Sequence, residues 1–282
     1  MIKVLALAAI LLAACTQDEL AEQGNTLPEG EYPLQIGSVS ITAEASEEPW
    51  TRVTEKPDGS GSVFQGGERI GVRIAGSEET GIYLIKVDDA GNVTVSPDKP
   101  VYWKNTQTAE VTAWYPATDG ALDLSGQDKG LVYVLRATAD NASYDTPVSL
   151  QFKHQLAKVR VVTKGTADVG KIEIVGMPTG CNIQQGEIIG ALVGSSRLPM
   201  RRTTYQDGTE CWEANVVPGE EIQVFSVSGT NLAISRNCYI SPYITPEAGN
   251  VHTIMLTVNS EGTQSIRLST DSIGGNGTEQ PQ

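Results

Sequence analysis

The sequence predicts an all-β protein of two tandem β-sandwich domains, and three observations carry that prediction. Apolar residues recur mostly with a period of two, as they do where alternate side chains of a strand enter a core. No stretch of a dozen residues holds the i, i+3, i+4 spacing of an amphipathic helix. Turn formers are dense, with 29 glycines and 14 prolines in 282 residues, and they separate the apolar runs.

The strands read in order as follows. Leu34 and Ile36, then Val39, Ile41 and Ala43, alternate on either side of Gly37-Ser38, the pattern of a strand with a bulge. Ile70, Val72 and Ile74 form a second alternating run. Residues 82–87, the loop Asp88-Asp89-Ala90-Gly91-Asn92, and Val93 with Val95 read as a hairpin with a glycine-containing loop. Val101-Tyr102-Trp103 and residues 111–115 follow, the latter stopped by Pro116. A second series opens with Val148, Leu150, Phe152, Leu156, Val159 and Val161. It continues through Ile172, Ile174, Ile188, Leu192, Val216, Ile222, Val224, Val227, Ile234 and Ile240, and closes with residues 251–258 and 266–269. The natural cut lies near Asp145-Thr146-Pro147. It leaves an N-terminal domain of residues 34–147, a C-terminal domain of 148–273 and a polar tail of 274–282, each domain of ordinary size.

Ahead of the strands the chain carries an address. Met1 and Lys3 form a short basic start, and Val4 to Ala14 is an unbroken apolar run, too short for a permanent membrane span. Residues 1–14 read as a secretory signal peptide. Leu12-Ala13-Ala14-Cys15 resembles the lipobox of bacterial lipoproteins, which implies lipidation of Cys15 and anchoring in the outer membrane through a polar tether, residues 15–33. The acidic run Thr16-Gln17-Asp18-Glu19 resembles the surface-export signal of some Gram-negative lipoproteins.

Composition excludes several function classes. With 34 acidic against 20 basic residues the formal charge is −14, which repels phosphate backbones and argues against nucleic acid as a partner. Only two histidines, His154 and His252, are present. Neither has a second ligand at metal spacing, so both read as packed structural residues. There is no Gly-x-Ser-x-Gly elbow and no phosphate loop, so no catalytic residue and no cofactor is assigned. Asp88-Asp89 reads as a solvated turn, with calcium binding as the alternative. Besides Cys15 the chain holds Cys181, Cys211 and Cys238, which allow one disulfide and one leftover thiol in three pairings. Cys211–Cys238 is favoured because both lie in strand-rich stretches, with buried free thiols as the alternative.

Several segments together resemble the fimbrillin (Mfa-like) family of type V pilus subunits and accessory lipoproteins. Residues 150–159, Leu-Gln-Phe-Lys-His-Gln-Leu-Ala-Lys-Val, are similar to its F-x-H-x-L-A-K strand. Gly66-Gly67-Glu68-Arg69-Ile70-Gly71-Val72 resembles its G-D-x-I-G-V segment, Ala113-Trp114-Tyr115-Pro116 its Y-P strand end, and Thr51-Arg52 its T-R pair. Residues 251–258 and 266–273 resemble its terminal strands, with Ile273 where many members have Trp.

The resemblance implies two transthyretin-like β-sandwiches. It also implies assembly by donor-strand exchange with other pilin subunits, after proteolytic removal of the first strand. On this chain residues 34–43 would be the removable strand, Arg52 the cleavage site, and residues 266–273 part of a donated segment. Arg69, Arg73 and Lys56 are the other basic residues near the cut. Asp271-Ser272-Ile273 resembles a bacterial O-glycosylation site, with Ser272 as the acceptor. Host or bacterial surface glycans are further partners such an adhesin would meet. The competing reading is a monomeric surface glycan-binding lipoprotein of a nutrient-uptake system, with Trp50, Trp103, Trp114 and Trp212 stacking on sugars. Exposed tryptophans on one face would favour it, and buried ones would favour the pilin.

Overall fold

Among the described residues, pairing of the alternating segments produces five β-sheets. The computed structural model describes residues 25–41, 53–57, 62–192, 197–232, 236–260 and 264–272. Among them there are strands and no helix. The first eight strands are β1 (Ile36–Ile41), β2 (Val53–Glu55), β3 (Ser62–Phe64), β4 (Arg69–Ile74), β5 (Gly81–Val87), β6 (Val93–Lys99), β7 (Ala109–Tyr115) and β8 (Gly120–Asp123). Next come β9 (Leu135–Ala142), β10 (Val148–His154), β11 (Ala157–Lys164), β12 (Val169–Val175), β13 (Gly180–Gln184) and β14 (Glu187–Leu192). The last seven are β15 (Arg197–Pro199), β16 (Arg201–Thr204), β17 (Glu210–Val216), β18 (Ile222–Gly229), β19 (Arg236–Ile244), β20 (Asn250–Val258) and β21 (Gln264–Ser272).

The β5–β6 hairpin forms where the alternation and the glycine loop place it. Asp88 builds its turn by accepting the backbone N–H groups of Ala90 (2.9 Å) and Asn92 (2.8 Å) on Oδ1. Its Oδ2 accepts the Asn92 side-chain amide (2.9 Å), and that bond, with the backbone ones, holds its carboxyl below the ordinary aspartate range. Val101-Tyr102-Trp103 is a correction: it joins no sheet ladder, and its one bridge is Tyr102 to Pro33.

A seven-stranded sheet in the order β1-β10-β9-β7-β4-β5-β6 surrounds one hydrophobic cluster. Its two ends approach each other, since β1 lies against β6 as well as β3. The cluster holds Leu34, Val72, Tyr83, Ile85, Trp103, Val111, Leu150 and Phe152. A five-stranded sheet, β16-β17-β11-β20-β21, and a four-stranded sheet, β15-β12-β18-β19, enclose a second cluster. There Val159, Val161, Trp212 and Ile254 from one sheet meet Ile172, Ile174 and Phe225 from the other.

Two features tie the clusters together. Residues 148–154, assigned to the second domain by the cut at Pro147, form β10 and pair with β1 and β9 in the first sheet. Phe152 enters the first cluster and Leu156 the second, so the changeover falls between them. Alternation marks a strand but not the sheet it joins, which is why the cut was misplaced. The connection between β7 and β9 also leaves the first sheet. Its strand β8 pairs with β13, and its Leu124 and Val134 enter the second cluster. The fully buried Gln127 donates to the Asn215 carbonyl (2.7 Å) and accepts the Asn215 N–H (3.1 Å).

The segments quoted as family motifs are accounted for by this architecture. Glu68, 1% exposed, accepts the N–H groups of Gln65 (2.7 Å) and Gly66 (2.8 Å) and so shapes the loop before β4. A Cβ on Gly71 would lie 2.4 Å from the Trp114 indole, so only glycine lets that ring cover β4.

At the tip of the β13–β14 hairpin, Gln185 and Gly186 both have positive φ, 47° and 73°, the requirement of a two-residue type I′ turn. A Cβ on Gly186 would stand 2.6 Å from Trp114 Cβ and 2.8 Å from the Leu135 carbonyl. The Gly186→Ala variant should therefore lose about 2–4 kcal/mol in urea denaturation, from left-handed strain plus overpacking. Gly91→Ala, also at positive φ but with open space around the added methyl, should lose only about 1 kcal/mol.

Candidate functional site

The segment from Asn25 to Ile41 is held to the first sheet along two separate lines. Its later half, β1, runs parallel to β10, with Ile36 opposite Val148, Val39 opposite Leu150 and Ile41 opposite Phe152. The ladder slips between Ile36 and Ser38, which places a bulge at Gly37-Ser38, as the spacing predicts. Leu34 and Val39 are buried, and Ile36 and Ile41 pack partly into the same cluster. Each fully buried aliphatic side chain contributes about 1.5–3 kcal/mol to holding the segment.

The earlier half pairs with the far side. Leu34 N–H donates to the Val101 carbonyl (2.8 Å), Trp103 N–H to the Tyr32 carbonyl (2.9 Å) and Thr106 N–H to the Asn25 carbonyl (2.9 Å). The Tyr83 hydroxyl, buried beneath, donates to the Leu34 carbonyl (3.0 Å) and accepts the Val101 N–H (3.3 Å). Burial raises the Tyr83 phenol above its ordinary range, so it stays a donor. Tyr32 meets the Tyr144 ring edge-on at 5.4 Å. From Asn25 onward the stretch assigned to the tether is thus docked on the body.

Removing this segment would uncover the Leu34 and Val39 pockets, the edge of β10, and the backbone of residues 101–106. It would also leave the buried Tyr83 hydroxyl without its acceptor. Unmet backbone groups beside vacant apolar pockets are what an incoming strand satisfies. The Val101–Thr106 wall, Tyr83 and Tyr144 escaped the sequence reading, because their partners are distant in the chain and no local pattern marks them.

Other predicted residues fall elsewhere. Cys15, Arg52, Trp50 and Ile273 lie outside the described residues. Arg69 and Arg73 sit within β4, paired on both sides, with Arg69 ion-paired to Asp98 (3.2 Å) and Arg73 donating to the Ser77 carbonyl (2.7 Å). Protected strand residues of this kind are poor protease sites, unlike the partly exposed Lys56. Ser272 is the last residue of β21, opposite Asn250 on β20.

The favoured Cys211–Cys238 disulfide is not formed. Cys181, Cys211 and Cys238 are free and buried, on β13, β17 and β19 of three different sheets. Burial pushes the Cys181 and Cys238 thiols up to about 11. Burial, then the nearby Glu213 charge, takes Cys211 up to about 12. All three remain unreactive thiols at neutral pH.

His154 is half-buried beside the Ser62 hydroxyl, with its Nε2 at 3.0 Å, and against the Tyr133 ring. Burial, with Lys158 adding to it, takes its pKa down to about 3. His252 accepts the Glu247 N–H on Nε2 (3.2 Å), and burial lowers its pKa against the pull of Glu247. Trp103, Trp114 and Trp212 are each at most 5% exposed, so none of them offers a face to a sugar ring.

The fimbrillin-like family matches this chain over residues 51–272, well over half its length. The chain is a fimbrillin-like protein. Among solved structures it is similar to a candidate cell adhesion protein from Bacteroides ovatus ATCC 8483, at 18% identity and TM-score 0.64, over 88% of this chain and all of the other. A candidate cell adhesion protein from Bacteroides uniformis ATCC 8492 follows at 16% identity and TM-score 0.60, over 87% of this chain and 99% of that one. At such identities the likeness is one of fold. No protein of curated function matches the chain significantly. Fimbrillin-like proteins are structural components of cell-surface appendages, not enzymes.

Proposed function

We propose that this fimbrillin-like protein is a cell-surface lipoprotein, anchored in the outer membrane through Cys15, that serves as a pilus subunit or accessory adhesin. Its partners are other pilin subunits, joined by donor-strand exchange once a cut after Arg52 frees the first strand. One observation carries the reading: a single N-terminal segment completes the first cluster, and its loss exposes both apolar pockets and unpaired backbone along β10. The acidic exterior fits subunits that repel until a specific strand meets a specific groove. Ser272 is the proposed site of O-glycosylation on the exported protein. The glycan-binding alternative loses support from the burial of Trp103, Trp114 and Trp212.

Treating the purified full chain with an Arg-specific protease tests the proposal. Mass spectrometry should show a cut after Arg52, and unboiled samples should form ladders on a denaturing gel. Persistent monomers after a clean cut would remove the stalk role.

A further inference from the structure

We propose that a cleft at one end of the first sandwich binds an acidic sugar at the end of a glycan chain, and that the N-terminal segment braces one of its walls. The proposal deepens the adhesin reading by naming a ligand class and the residues that meet it. It does not depend on strand exchange.

The cleft encloses about 440 Å³, within the range of small-ligand sites. One wall is residues 74–77, from the end of β4 into the turn toward β5. The other is residues 102–105 and 107–109, which lead into β7. Ile74, Trp103 and Ala109 supply the apolar part of the lining, and Ser77, Tyr102, Asn105, Gln107 and Thr108 supply neutral hydroxyl and amide groups. That mixture suits a sugar, which offers C–H faces and many hydroxyls. Trp103 is too buried to stack on a ring, so the hydroxyl contacts must hold it.

Charge narrows the ligand class. Lys104 is the one charged residue of the lining, and no carboxylate joins it, although acids outnumber bases 34 to 20 in the chain. Its Nζ lies 3.3 Å from Oε1 of Glu79, which is not part of the lining, and both side chains are more than half exposed. An ion pair so exposed contributes little. A ligand carboxylate, seated by hydroxyl contacts alongside, can therefore take the place of Glu79. Lys104, Asn105, Gln107 and Thr108 are exposed, so the mouth is open and the rest of a glycan chain can leave through it.

Both walls are built in advance. Ala75 N–H donates to the Glu110 carbonyl (2.8 Å), Ser77 N–H to the Ile74 carbonyl (3.0 Å) and Arg73 Nε to the Ser77 carbonyl (2.7 Å). Across the cleft, Asn105 Oδ1 accepts the Gln107 N–H (2.9 Å). The bonds from Trp103 to Tyr32 and from Thr106 to Asn25 tie this second wall to the N-terminal segment. Without the segment, binding itself would have to order the wall, and affinity falls by the fraction of time the wall is formed.

The test titrates the purified full chain with methyl β-D-glucuronoside and methyl β-D-glucoside, read by ligand-observed NMR. The glucuronoside should bind with a dissociation constant on the order of 1 mM, and the glucoside at least about tenfold more weakly. Lys104→Gln should cost the glucuronoside about tenfold, while Lys129→Gln, an exposed lysine between β8 and β9, should cost nothing. No binding of either glycoside overturns the site. Equal binding of the two, or no loss in Lys104→Gln, overturns the acidic ligand. Free glucuronic acid should bind no more tightly than its glycoside, and tighter binding would overturn the chain-end assignment. For the bracing, a foreign protease site replaces residues 44–49, and the N-terminal fragment is removed after cleavage, with circular dichroism to confirm the fold. Glucuronoside affinity should then fall about tenfold. Tyr32→Ala, which keeps the segment but removes its ring contact with Tyr144, should lower it about threefold. Unchanged affinity in both overturns the bracing and leaves the site. Failure of a cut at Arg52 bears on strand exchange alone.

Discussion

Replacing Arg160 with alanine is expected to destabilise the protein by about 3–5 kcal/mol, measured by urea denaturation at neutral pH. Arg160 projects from β11 on the side of the five-stranded sheet away from its hydrophobic cluster, toward Glu213 on β17, which is 1% exposed. Its Nε donates to Glu213 Oε1 at 2.7 Å and its Nη2 to the Tyr205 hydroxyl at 2.7 Å, with the guanidinium 4.8 Å from the Tyr205 ring centre. The Tyr205 hydroxyl in turn donates to the same Glu213 oxygen. Burial opposes the Arg160 charge, but the Glu213 carboxylate more than offsets it and holds the guanidinium ionised. Burial, then Glu213, raises Tyr205 far above its ordinary range, so it remains a donor.

Alanine takes the cation from a buried carboxylate, and the lost solvation of that charge dominates the cost. The double variant Arg160→Ala, Glu213→Leu should recover much of the loss, because it removes the stranded charge as well. A double variant as unstable as the sum of its singles would show that packing, not charge, is what Arg160 contributes.

Acidification should act through His154 with the second large effect. Its folded pKa of about 3 lies below the unfolded value of 6.5. Below pH 6.5 the unfolded chain therefore binds a proton that the folded one refuses. The stabilisation is complete above pH 6.5 and is lost as pH falls toward 3, the loss reaching about 3 kcal/mol at pH 4. Turn carboxylates such as Asp88 and Asp123, whose pKa values are lowered, also lose stabilisation in acid. They are common to wild type and a His154→Gln variant, so the difference between the two isolates the histidine. That difference should be flat from pH 8 to about 6.5 and then shrink or reverse with further acidification. A constant difference down to pH 4 would contradict a neutral, half-buried His154.

Much of the strand inventory was legible because its residues are large and β-branched. Ile82 to Val95 declared its hairpin through alternation and the Asp88–Asn92 loop, and Gly37-Ser38 declared its bulge. β9 stayed hidden because Leu135, Ala137 and Ala139 supply its inward face largely with methyl groups, too weak a pattern to separate from loop. Val101-Tyr102-Trp103 looked like a strand because its apolar residues are buried. Its hydrogen bonds go to residues 32, 34 and 83, and no local rule reveals such partners. For the candidate site, the first strand and its apolar face are visible in the sequence, while the polar composition of its upstream half reads as tether.

By itself the sequence determined the fold class, the strand-rich character of both halves, and the family the chain resembles. Those properties follow from local periodicity, which each segment carries whatever it later meets. Only the tertiary structure decided that β10 completes the first sheet, that the β7–β9 connection crosses to the second cluster, and that three cysteines stay apart. It alone also decided that Asn25 to Ile41 is pinned along two lines. These depend on which strand edges find each other across long stretches of chain, a choice made by packing and hydrogen-bond satisfaction over the whole molecule.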